Sequence, residues 1–232
     1  MEGIEASRQP IAREQAAHEG DTLTFTDIPR ASFTENELGT LAILGFDYAA
    51  RIQADSLLEL VEAFRIAEIP ISVETKSSSS WISFNELSLD LAKKLPNERA
   101  FGIEVATQHE PDYLPIVRGR NYLRPLFDLK AATPHELLPV IGKLSDYMAA
   151  ELWYRADTGE PLYKTPGQFV LTQSAATSDK LYTFGFDDRT GGIRLSTASI
   201  NSLPRNIVLS PLIMPNQGRY EGASIYPLGP YS

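Results

Sequence analysis

The chain has 232 residues and no cysteine. That excludes disulfides, thiolate zinc sites, iron–sulfur clusters and cysteine nucleophiles. Histidine is nearly as scarce. The three present, His18, His109 and His135, each precede a glutamate. His109, Glu110 and Asp112 are the densest set of metal-type donors around them, yet their spacing fits no established zinc or iron pattern, and no HExxH occurs. His135 and Glu136 fall where a helix start is expected, and a cap accounts for Glu136 there. No metal and no cofactor is predicted. The GxSxG elbow, the Walker A lysine motif and GxGxxG are also missing. No catalytic residue is assigned, which weighs against an enzyme. Long apolar runs are absent too: the best, residues 41–46, is far too short to span a bilayer. Residues 1–21 are polar and lack the apolar stretch of a secretory leader. A soluble, cytoplasmic protein without a membrane partner is expected.

What is present is an uneven distribution of charge. Residues 1–117 hold 20 acidic and 9 basic side chains, a net of −11, whereas residues 118–232 hold 10 and 12, a net of +2. The sequence pI of about 4.9 disfavours a general nucleic-acid binder, which needs a basic face to displace counterions from phosphate. The changeover lies in Pro115-Ile116-Val117-Arg118-Gly119-Arg120-Asn121-Tyr122-Leu123-Arg124-Pro125. If this stretch is extended, Arg118, Arg120, Tyr122 and Arg124 point to one side, because strand side chains alternate. With Lys130 just beyond, they form a seat for phosphate or carboxylate, and Tyr122 adds a stacking face. The plainer alternative is that the arginines pair with carboxylates of the acidic half, within the fold or across a subunit contact.

Patterning along the chain predicts an α+β fold. The first half alternates strands and helices, a long central helix follows, and the rest is mainly antiparallel β with an extended tail. Residues 1–20 read as a flexible arm, 21–210 as a single globular domain that could divide near 108–132, and 211–232 as a Pro/Tyr-rich tail. Residues 22–28 alternate as a strand. Thr34 with Glu37 is a capping box, favouring a helix, although residues 41–48 also suit a buried strand. Ser56 with Glu59 begins a firmer helix bearing Leu57, Leu60, Val61 and Phe64, ended by Pro70. A strand at 71–75, a serine link at 77–80, an apolar piece at 81–84, a helix from Asn85 to Pro96 and a strand at 101–107 follow. Residues 108–132 read as loop. The clearest helical signature is Thr133 as N-cap, Pro134 at the first position and Glu136 closing a box, with an apolar stripe from Leu137 through Leu152. That helix is expected to run to Arg155 and yield at Gly159. Strands are predicted at 168–173 and 206–209. A hairpin pairs the alternating runs Tyr182, Phe184, Phe186 and Ile193, Leu195, Thr197.

Two further features bear on function. The aspartates of Asp187-Asp188-Arg189-Thr190-Gly191-Gly192 suit a cation or acid–base chemistry, but a hairpin turn requires the same residues. Tyr220, Tyr226 and Tyr231 make the tail a candidate partner-binding arm, or a cover for a sheet edge. The expected role is non-catalytic association with another protein or with further copies of this chain, through an acidic face and the arginine cluster. The alternative is an enzyme or binding module for a small anionic ligand held by that cluster.

Overall fold

Two of the four described helices start where the sequence places their caps. In the computed structural model, which describes residues 32–74, 81–84, 95–108, 114–115, 124–134 and 136–215, α1 is Glu35–Ile43 and α2 is Leu57–Ile66. Glu37 N–H donates to Thr34 Oγ1 (3.3 Å), and Thr34 N–H donates back to the Glu37 carboxylate (2.7 Å). Ser56 and Glu59 repeat the exchange at 3.3 and 2.6 Å. Each box satisfies backbone donors that a helix start leaves bare. Leu57, Leu60, Val61 and Phe64 of α2 are buried.

The strands form two sheets. One has the order β1-β4-β11-β6, from Tyr48–Arg51, Glu104–Thr107, Leu212–Pro215 and Leu137–Val140, all antiparallel. The other has the order β3-β2-β9-β8-β7-β10-β5, from Trp81–Phe84, Ile71–Glu74, Gly192–Ser199, Lys180–Asp187, Phe169–Thr177, Ile207–Leu209 and Leu114–Pro115. It is antiparallel except where β2 meets β9 and β10 meets β7. The fold class is α+β, as expected, and the hairpin of β8 and β9 turns at residues 187–192 as predicted.

The central helix departs from the sequence reading. Helix α3 is Arg124–Ala132 and α4 is Leu144–Thr158. Residues 137–140, expected to be the first turns of a long helix, are instead β6. Pro139 supplies the reason: inside a helix begun at Pro134 it would lack a hydrogen bond and clash with the preceding turn. Thr133 is not an N-cap. It ends α3, and its hydroxyl donates to Leu129 O (2.7 Å). The real start is Lys143, whose N–H donates to Asp146 Oδ2 (2.7 Å). The far end is as expected, with Gly159 at φ 76° donating to Arg155 O. Residues 108–132, read as loop, carry β5 and α3; Pro125 sits in the first turn of α3, where proline is tolerated.

Residues 144–151 of α4 are all buried, as befits a helix enclosed on every side. Leu144, Tyr147 and Met148 share one core with Leu60 and Phe64 of α2, Phe184 and Leu195 of the larger sheet, and Val105, Leu138 and Leu212 of the smaller. Tyr147, Tyr163 and Phe184 meet there, with ring centroids 5.4–6.5 Å apart. Residues 1–31, the serine link at 77–80, most of the helix expected from Asn85, and residues 216–232 lie outside the described residues. So do His18, His109 and His135. The segment after Pro211 is extended through Pro215, but as the buried inner strand β11.

Candidate functional site

The expected arginine cluster is only partly within view. Arg118, Arg120 and Tyr122 lie outside the described residues, as do Tyr220, Tyr226 and Tyr231. Arg124 opens α3, so its backbone is helical and does not continue an extended run from Arg118. Lys130 is exposed in the last turn of the same helix, where a cation complements the helix dipole.

The aspartates of the hairpin separate into different environments. Asp187 is buried. Its carboxylate accepts from Ser72 Oγ (2.6 Å), Arg194 Nη2 (2.9 Å) and Arg189 N–H (3.2 Å). Burial pushes its acidity weaker, but these bonds outweigh it and hold the carboxyl below its ordinary range. Asp188 is exposed, 3.8 Å from Arg194. Asp187 therefore ties the turn to β2 through Ser72, whereas Asp188 reaches only Arg194 of β9. Among the described residues no cluster of His, Asp and Glu could hold a metal ion.

A polar centre that the sequence reading missed surrounds the start of α4. Asp146, fully buried, accepts from Phe101 N–H on Oδ1 and Lys143 N–H on Oδ2, both at 2.7 Å. Glu98 accepts from Ser145 N–H (2.9 Å) and Ser174 Oγ (2.6 Å), and Ser174 Oγ in turn accepts Leu144 N–H (2.7 Å). Lys143 Nζ donates to Arg99 O and lies 4.8 Å above the Phe101 ring. Burial raises the Asp146 carboxyl to about 7, against the pull of Lys143 and of the two N–H bonds, with Glu98 adding to the rise. A carboxyl near that value could serve as an acid or base. Here both oxygens are committed to backbone, so the arrangement fastens residues 98–101 to the helix.

No family model, curated protein or solved structure matches this chain. A second buried carboxylate, Glu151, accepts Leu162 N–H (3.0 Å), Tyr163 N–H (3.2 Å) and Arg155 Nε (2.5 Å). Burial raises it, against the opposing pull of Arg155. Arg155 also donates to Gly191 O (2.8 Å), so one pair joins the helix end, the 160–163 loop and the hairpin. An open groove of about 520 Å³ runs between α1 and the start of β6, lined by Thr34, Asn36, Thr40, Pro134, Glu136 and Leu137, with Glu37 at its wall. Its acidic lining is unsuited to an anion. A signal for the α4 centre exists in the sequence only as Asp146 three residues after Lys143, downstream of the helix-breaking Pro139 and Gly142.

Proposed function

We propose that this protein is a non-catalytic interaction or assembly protein, in which the acidic face of the first half meets the arginine cluster of a neighbour. The observation that carries this reading is how the described ion pairs are distributed. Arg65–Glu62 and Arg99–Glu59 lie within the acidic half; Arg155–Glu151, Lys164–Glu160 and Arg194–Asp187 lie within the other. Each of these pairs balances charge locally and leaves the imbalance between halves in place. Glu37, Glu98 and Glu104 are likewise engaged by backbone or hydroxyl donors. Lys130 is exposed and makes no ion pair among the described residues. Complementary patches of this kind steer association and are screened by salt. A contact between different faces is heterologous and builds rings or filaments.

Size-exclusion chromatography with light scattering tests the reading. Assemblies larger than a monomer are expected at low salt, falling with added salt and with Arg120→Ala; a monomer at every salt and concentration would sink it. Arg118 and Arg120 beside Tyr122, followed by Arg124 at the start of α3, also offer several cations to a small anion such as phosphate or a carboxylate. In that case the ligand raises the melting temperature of the wild type by mass action, and Arg120→Ala removes the rise.

A further inference from the structure

The two edges of the four-stranded sheet are finished differently. At β6 the outward positions are Leu137 and Pro139. Leu137 N–H already donates to Pro134 O (3.0 Å), and proline has no N–H to offer. That edge presents no donor to an incoming strand. At β1, Ile52 N–H donates inward to Ile103 O (3.1 Å), so by alternation Ala50 and Tyr48 also face β4. The N–H and C=O groups of Ala49 and Arg51 point away from it. Among the described residues, no strand pairs with this outer side of β1.

We propose that the β1 edge pairs antiparallel with the β1 edge of a second copy of this chain, about a two-fold axis at Ala49. Two arguments of different kind together fix the register. Exchange of both N–H···O bonds requires outward-facing residues opposite each other, which allows Ala49 opposite Ala49 and forbids a shift by one. The charges then decide among the allowed registers. Centring on Ala49 sets Asp47 opposite Arg51 of the second copy and Arg51 opposite its Asp47. A shift by two sets Asp47 opposite Gln53 or Ala49 instead. Asp47, Ala49 and Arg51 are all exposed; Ala49 and Arg51 lie on one face of β1, and continuing the strand by one residue puts Asp47 on the same face, which opposite residues share across an antiparallel pair. Arg51 makes no ion pair among the described residues. Alanine at the centre keeps the approach of the strands clear.

Apolar surface lies beside the edge. Tyr48 donates its hydroxyl to Asp157 Oδ2 (2.9 Å) and meets the Tyr154 ring at 4.8 Å, which fixes this end of α4 against β1. Trp153 is one turn before Asp157, hence on the same side of the helix, and it is 38% exposed. The two-fold interface is isologous and closes as a dimer. It uses none of residues 118–130 and stands apart from the association proposed above.

The test uses the full chain and a pair of charge reversals, with sedimentation velocity over a concentration series. The wild type is expected to dimerise. Arg51→Asp and Asp47→Arg each set like charges opposite each other twice, so each alone weakens the dimer by about tenfold or more. An equimolar mixture of the two variants restores wild-type affinity, because their strands are complementary. Ala49→Pro, which removes only an outward N–H, abolishes the dimer while a thermal melt shows the fold retained; if that variant unfolds, the charge reversals alone decide. Arg120→Ala leaves this dimer intact, so the two modes of association fail separately. A wild type that stays monomeric throughout, or a mixture no tighter than its components, overturns the proposal.

Discussion

Asp146 has two opposing influences on one carboxyl group. Its oxygens accept backbone donors that favour the charged form, while complete burial raises it from 3.8 to about 7. The folded protein therefore holds this proton more tightly than the unfolded chain does. The stability it contributes is fully present below about pH 4 and is lost as pH rises through about 7, a swing on the order of 4 kcal/mol. In Asp146→Asn, denaturant titrations between pH 4 and pH 7 should lose that slope. The variant should also be less stable at acid pH by about 1–3 kcal/mol, since an amide presents only one oxygen to the two N–H groups. An unchanged slope would assign the pH dependence to another group. The spacing of Asp146 three residues after Lys143 marks a helix start, but nothing in Lys143-Leu144-Ser145-Asp146 shows that this residue is buried rather than on an exposed turn. Its environment comes from Phe101, 45 residues earlier, and a contact of that range leaves no local signature.

Among the elements, the ones with local causes were legible. The capping boxes at Thr34 and Ser56, the stripe of α2, the Gly159 stop and the β8–β9 hairpin each depend on residues a few positions apart, and the structure has all of them. The long central helix misled because Leu137, Val140, Ile141 and Leu144 repeat at helical spacing by accident. They cross from a strand buried on both faces into a helix, and burial in both elements imitates one period; Pro139 outweighs that periodicity. Close passage between elements was equally hidden. A Cβ added at Gly192 would lie 2.0 Å from Pro70 O, the carbonyl that accepts Ile193 N–H where β9 runs beside β2. Gly192→Ala should therefore part these strands and cost about 1–3 kcal/mol or more in chemical denaturation. Wild-type stability in this variant would mean that the backbone yields freely there.

At the scale of the molecule, the sequence predicts the class, and the pairing of strands distant in sequence is what it left open. Net charge and its division describe how the protein meets other bodies; they carry no information on which strand lies beside which. Strand β11 shows the difference. Read as the start of a tail, it lies between β4 and β6, with Ile213 opposite both Ala106 and Pro139. Removing residues 212–232 should leave a chain without cooperative thermal unfolding, since Leu138 and Val105 lose the Leu212 and Met214 that complete their core; a sharp transition in circular dichroism would show the sheet closing without it. The position of β11 also sets an order of events during synthesis. While the ribosome is still making residues 141–211, β4 and β6 have been made and have no strand between them to join them. The sheet carrying the β1 edge is completed only after residue 215 has left the exit tunnel. Until then the edge has only β4 behind it, an isolated two-stranded ribbon of marginal stability, which delays firm pairing between neighbouring nascent chains until each has its last described strand.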